Sequence, residues 1–364
     1  MHLRRALLLF CCALFFSSSL SSPASSRLGI GCYNDTPWSP PISAQLPVAA
    51  NLTSGAGWAL LFLESLDPAA AAPAPAPWEA AALRQAYALG LRVVARLGQR
   101  ARNYRSFSDD PTRLSYRALA SAWRAYAAQL PVPQDGSTPL YIQIANEPNV
   151  CMEWQCEGGQ GVFISAAQVA AEAASFTRDV ARALRTLPQL AVAAPPVAGA
   201  GFAHCECVWA GANGPQDVNG TVFLSAMLQQ VPSLFEELDA LIVHPYPACG
   251  QLPYAEKCAG GWLASYKQQA QAVAASRAPG APLLPVIVGE TGWPSTNETG
   301  KAQWMVQALQ QLFLADASVV AVLPFLLAGP FWEQQGWPWT LWDPATGNTS
   351  LRQLQPQFLA VQAL

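Results

Sequence analysis

The chain has 364 residues, 52% hydrophobic and only 12% charged, with a formal net charge of −3. That length suits one (β/α) barrel or two ordinary domains, and the composition supplies a large core. No Lys/Arg cluster forms beyond the N-terminus, which argues against nucleic acid as a partner, because phosphate neutralisation needs basic charge concentrated on one face.

Arg4 and Arg5 precede an apolar run, Ala6 to Phe16, and then the small-residue stretch Ser17 to Ser26. That is the layout of a secretory signal peptide over residues 1–26, cleaved between Ser22 and Ser26. An apolar run of 11 residues is short of the roughly 20 that span a bilayer, and no later segment qualifies. The expected product, residues 27–364, is a single secreted domain without membrane contact, extracellular or held in a cell wall. Export fits the asparagines: five of nine, Asn34, Asn51, Asn219, Asn297 and Asn348, stand in N-x-S/T sequons. A glycan on Asn297 would lie close to Glu290.

Past the leader, Leu28 to Tyr33 reads as a first strand and Trp58 to Leu63 as a second, with partial helix between. Asp67 to Pro77 is an Ala/Pro tract, expected as an extended loop. Trp78 to Leu89 predicts a helix ending at Gly90, and Arg92 to Leu97 a third strand. A helix over Arg113 to Leu130 precedes the fourth strand, Leu140 to Ala145. Ser165 to Thr186 is helical, and Leu190 to Ala194 is the fifth strand. Phe223 to Leu238 is helical with a break at Pro232, then Ala240 to Val243 is the sixth strand. Helix Gly261 to Ser276 leads to the seventh strand in Leu284 to Pro294. Lys301 to Ala315 leads to the eighth, Val319 to Leu326, and Leu351 to Ala363 closes as a helix. Alternation of strands and helices without a break in composition predicts one (β/α)8 TIM barrel, a single-domain α/β fold. A doubly wound sheet is the alternative, but no glycine-rich phosphate loop follows the first strand.

Two of these strands end on carboxylates. LYIQIA stops at Asn146-Glu147-Pro148, and LPVIVG stops at Glu290. Proline disfavours helical geometry in the residue before it, so Glu147 is expected extended at the strand's mouth. A carboxylate at the end of a buried strand is costly unless it has a task there. Either glutamate alone reads as well as a turn residue or a helix cap; together, ending matched strands, they read as a pair. Fourth and seventh strands of a barrel bring them across its mouth. A pair spaced about 5–5.5 Å apart can attack and protonate a glycosidic bond, and so close a pair cannot easily both ionise.

IQIANEP and VIVGETGWP resemble the motifs of glycoside hydrolase clan A, the retaining (β/α)8 enzymes, and the strand order extends the likeness over the chain beyond the leader. The resemblance implies that Glu147 is the general acid/base and Glu290 the nucleophile. It implies that Asn146 contacts the sugar 2-hydroxyl. In His244-Pro245-Tyr246-Pro247, at the end of the sixth strand, it implies a Tyr246 hydroxyl bonded to the nucleophile and a His244 lining the sugar site, although the two prolines also make an ordinary turn. Clan members stack the sugar on a tryptophan after the eighth strand. Trp332 is the first candidate and Trp337 the second, with Trp339 and Trp342 in the same stretch and Trp154 and Trp293 after the glutamates. GETGWPS is similar to the β-1,3-glucanases of family 17, and NEPN to family 5-like β-1,4-glucanases and mannanases; the family stays open.

Arg96 ends the third strand. A buried arginine needs an anion, either a catalytic carboxylate or a structural ion-pair partner. Removal of Cys11 and Cys12 with the leader leaves seven of nine cysteines. Cys249 with Cys258, and the loops of Cys151/Cys156 and Cys205/Cys207, offer disulfides, leaving Cys32 buried and unpaired. A metal site at His204-Cys205-Glu206-Cys207 is the rival, disfavoured in an oxidising compartment. No G-x-S-x-G or H-E-x-x-H occurs, and neither metal nor cofactor is implied. The expected protein is a monomeric retaining β-glycoside hydrolase on a β-glucan or mannan type of substrate. A wall transglycosylase with the same residues, or a secreted carbohydrate-binding protein without turnover, are the alternatives.

Overall fold

The computed structural model describes residues 24–33, 40–68, 70–99, 116–134, 136, 138–154, 157–158, 162–163, 166–198, 220–247, 263–293, 295–329, 336–342, 351–354 and 356–364. Eight parallel strands form the barrel: β1 (Gly29–Cys32), β2 (Trp58–Leu66), β3 (Arg92–Gln99), β4 (Leu140–Ile144), β5 (Leu190–Ala193), β6 (Leu241–His244), β7 (Val286–Val288) and β8 (Val319–Val322). The first five pair in sequence, and β6 to β8 form a second run, which Val197–Ala198 extends by pairing with Val243 and His244. Bridges Leu28↔Val322 and Ala193↔Ala240 join the two runs into a closed cycle. Closure removes both sheet edges, so nearly every strand residue can be buried and apolar.

Strand side chains alternate, and the two faces make two cores. One parity points into the barrel: Leu60 and Phe62 of β2, Val94 of β3, Ile242 of β6, Ile287 of β7 and Ala321 of β8 pack together there. The opposite parity, including Leu61, Val93, Ile142, Val192 and Val288, packs outward against the helices. Continuing the inward parity by one step towards the C-terminal mouth reaches Arg96, Gln143, His244 and Gly289. Gly289 has to be glycine, because a Cβ there would lie 2.7 Å from Ile242 Cγ2 and 3.1 Å from His244 Nε2.

Around the barrel lie α1 (Ile42–Leu52), α2 (Pro77–Ala88), α3 (Tyr116–Ala127), α4 (Ala166–Leu184), α5 (Gly220–Gln230), α6 (Ser265–Ser276), α7 (Glu298–Ala308) and α8 (Pro356–Gln362). Helix α2 starts at the end of the Ala/Pro tract, with Pro77 at its first position and Glu79 accepting from Ala76 N at 2.7 Å. Glu79 is fully buried and also accepts from Ser65 N at 3.0 Å, Tyr126 Oη at 2.7 Å and the Ser65 hydroxyl. One carboxylate thereby ties β2, α2 and α3 together. Asn297 is exposed and caps α7, its side chain accepting from Gly300 N at 3.0 Å.

The closing segment departs from expectation. Leu351–Leu354 is a strand paired antiparallel with Thr340–Trp342, and the helix begins only at Pro356. Pro356 restricts the residue before it and is well placed to open a helix, which separates the two. Cys32 is buried with a free thiol, which burial pushes up to about 12. The other proposed pairings, the His204 cluster and Asn34, Asn219 and Asn348 lie outside the described residues. Among the described residues no helix is long and apolar enough to cross a membrane.

Candidate active site

Strand ends from around the barrel converge on two carboxylates at its C-terminal mouth. Glu147 follows β4 and Glu290 follows β7, each 6% exposed. An oxygen of each and a ring nitrogen of His244 all lie within 4.8 Å of one another. The turn carrying Glu147 is not the extended one expected from Pro148. Ala145 has φ 55° and Glu147 φ 29°, both on the left-handed side that costs a side-chain-bearing residue energy. Tertiary contacts at the mouth override the local preference.

The partners of the two carboxylates differ. Glu290 Oε1 accepts from Arg96 Nη1 at 3.1 Å, and its Oε2 accepts from Tyr246 Oη at 2.8 Å. Glu147 Oε1 lies 2.7 Å from His244 Nδ1, which stands 3.7 Å from Glu290 Oε2. Burial pushes Glu290 above the usual carboxylate range and Glu147 adds to the rise, while His244, Arg96 and the Tyr246 hydrogen bond pull the other way. Burial also lowers His244 to about 4, so the ring is neutral at pH 7 and shares one proton with Glu147. Tyr246 is held well above its ordinary value, first by burial and then by both carboxylates, and stays a donor. Burial would lower Arg96, but Glu290, Glu153 and Glu64 together raise it. Arg96 Nη2 sits 3.9 Å from Glu64, a half-exposed second partner at the end of β2.

The same three donors, Glu147, His244 and Glu290, form a group that a cation could use. Arg96 and Tyr246 already engage both Glu290 oxygens, and His244 Nδ1 is engaged by Glu147, so a cation would have to displace three contacts.

Of the tryptophans, Trp337 reaches the site. It is half-buried and meets Tyr246 edge-on at 5.5 Å and Phe325 at 5.7 Å between ring centroids. Lys301 pins its loop by donating to the Gly336 carbonyl, and by pairing with Glu298 at 3.1 Å. Gly336 has φ 73° and backs onto Ser295, leaving no room for a side chain. Trp154, Trp293 and Trp339 are core residues, each 1–2% exposed. Trp332 lies outside the described residues.

Three aromatic residues of the cleft had not been singled out. Phe62 lies beneath Arg96, whose Cζ is 4.0 Å from the ring centroid, and Tyr33 meets Phe62 edge-on at 4.3 Å. Phe325 stands between Tyr33 and Trp337. Phe62 is an inward residue within β2, and Tyr33 and Phe325 continue the inward parity just beyond β1 and β8, so following that parity along and past each strand is the signal that finds them.

This is the fold of the (β/α)8 glycoside hydrolases. Solved structures that match include a family 39 glycoside hydrolase from Bacteroides cellulosilyticus, with a TM-score of 0.59 and 12% identity over 94% of this chain. This chain spans only 64% of that one. A family 128 (subgroup II) endo-β-1,3-glucanase from Sorangium cellulosum matches with a TM-score of 0.52 and 15% identity over 93% of this chain and 98% of its own. An endo-1,4-β-D-mannanase from Thermotoga petrophila matches with a TM-score of 0.55 and 12% identity, over 93% and 98% respectively. No protein-family model matches the chain, and no curated protein matches it in sequence.

Proposed function

We propose that the protein is a retaining β-glycoside hydrolase that works by double displacement. The observation that carries this reading is the pair of buried strand-end carboxylates with oxygens within 4.8 Å, each with different donors. That closeness supports the retaining arrangement, with carboxyl groups about 5–5.5 Å apart, over the inverting one at about 6.5–9.5 Å. Two donors on Glu290 stabilise its anion, as a nucleophile requires. Glu147 shares a proton with a neutral imidazole, and so can give a proton to the leaving oxygen and later take one from water.

In the first step Glu290 attacks the anomeric carbon while Glu147 protonates the departing oxygen. In the second, Glu147 removes a proton from water, which displaces Glu290 and restores both groups. Asn146 contacts the sugar 2-hydroxyl, and Trp337 stacks on a sugar face. The β-glucanase and mannanase among the structural neighbours support a β-linked glucan or mannan as the substrate. The leader-like N-terminus and the sequons support an exported enzyme.

The test is intact-protein mass after incubation with 2-deoxy-2-fluoro glycosides bearing good leaving groups, which slow the second step. A gain of one glycosyl unit on the Glu290 peptide is expected. Labelling at another residue overturns the roles, and no labelling of folded protein by any sugar favours a binding protein without turnover.

A further inference from the structure

We propose that Gln143 is a positioning residue that fixes which end of the Asn146 amide meets the substrate, and thereby what may stand on the sugar's second carbon. The inference rests on the proposed function through Asn146, and the mechanism has no other use for Gln143. Gln143 is the last inward-facing residue of β4, fully buried, beside Arg96 in the β3–β4 register. Its Nε2 donates to the Ala145 carbonyl at 3.0 Å and to Asn146 Oδ1 at 3.4 Å. Its Oε1 is buried with no partner among the described residues, a cost that the two donated contacts have to offset.

The orientation follows link by link. A backbone carbonyl can only accept, so the end of the Gln143 amide that faces Ala145 has to be the NH2 group. That NH2 is also the group facing Asn146, and two NH2 groups cannot satisfy each other, so Asn146 turns Oδ1 inward. Its Nδ2 is then the end left for the cleft, next to Glu147. The carbonyl that starts the chain belongs to Ala145, one of the two left-handed residues of this turn, so the same contact braces the backbone that carries Glu147.

A donor-only group in the cleft has a chemical consequence. A sugar hydroxyl there can accept from Nδ2, whereas a protonated amine can only donate and meets it head-on. A hydrogen atom in that place neither gains nor clashes. The site therefore takes 2-hydroxy glycosides and rejects 2-amino-2-deoxy glycosides in their ammonium form, even though the cleft's carboxylates would otherwise attract a cation.

The experiment compares three activated aryl glycosides of one sugar, with 2-hydroxy, 2-deoxy and 2-ammonium groups, on the wild type and on Gln143→Met, which keeps the volume and removes the donor. The wild type should prefer the 2-hydroxy over the 2-ammonium compound by about 100-fold or more in kcat/KM, the worth of a buried polar mismatch. Gln143→Met frees the Asn146 amide to turn over, so that ratio should fall by about 10-fold or more, on top of whatever common factor the lost brace takes from all three rates. In an Asn146→Ala background the same change should leave the ratio where it is. Equal losses on all three substrates mean bracing alone and overturn the proposal, as does an unchanged ratio. Should the wild type cleave no glycoside, the functional reading fails and side-chain amide NMR still decides this one. Slow exchange of the Gln143 NH2 protons beside fast exchange of those of Asn146 supports the orientation, and the reverse refutes it.

Discussion

Replacing Arg96 with methionine tests the division of labour between the carboxylates. Arg96 and Glu290 form a pair 3.1 Å apart, with side chains only 9% and 8% exposed. Charges about 4 Å apart at an effective dielectric constant of about 20 attract by about 4 kcal/mol. At about 1.4 kcal/mol per pH unit, losing that attraction raises the Glu290 ionisation by about 3 units at most. Tyr246 still donates, so about 2–3 units is the expected shift. The sign follows from which form the cation favours. Arg96 stabilises the anion, so without it Glu290 stays protonated to higher pH and the nucleophile is missing from acidic solution. The assay is the pH profile of kcat/KM on the 2-hydroxy counterpart of the glycoside that labels the protein, which turns over instead of trapping the enzyme. The acid limb of Arg96→Met should move up by about 2–3 units, with activity recovering as pH rises. An acid limb left in place, with a uniform loss at all pH values, would refute the electrostatic argument and make Arg96 a packing residue.

Tyr246→Phe removes one hydrogen bond to a charged group, worth about 1.5–3 kcal/mol, so kcat/KM should fall by about 10–100-fold without loss of fold by circular dichroism. Trp337→Ala removes the stacking face and Lys301→Met releases the loop that carries it; both should raise KM, by about 10-fold for the tryptophan, with kcat less affected. Glu79→Ala leaves the Ser65 amide, the Ser65 hydroxyl and the Tyr126 hydroxyl without their acceptor, each costing about 1–3 kcal/mol, while the Ala76 amide keeps the Ser65 oxygen. Denaturant unfolding should show a loss of at least about 3 kcal/mol, while the activity of the folded fraction is unchanged. Cys32, buried with its thiol pushed up to about 12, should resist alkylation in native protein and react once it unfolds.

Strand and helix periods are local properties, and in this chain they were legible. The eight apolar runs all became barrel strands, because a parallel strand covered on both faces has to be a short continuous apolar segment. The break at Pro232 was legible too, since proline removes a backbone donor whatever lies around it: α5 ends at Gln230 and a single 3-10 turn follows over Leu234–Glu236. Glu147 and Glu290 stood out because a carboxylate at the end of such a strand is costly without a partner. What a local rule could not supply is how strand ends meet once the barrel closes. Pro148 favours an extended Glu147, yet the packed mouth holds it at φ 29°. Trp154, Trp293 and Trp337 look alike in sequence, but only Trp337 emerges beside Tyr246, because Gly336 and Lys301 turn its loop inwards. Arg96 had two equivalent readings, and the closing of β3 towards β7 placed Glu290 within reach. The residues and their strand positions were thus determined by the sequence alone. Tertiary structure decided the distances between ends contributed by strands far apart in the chain, because only the closing of the barrel sets how those ends meet.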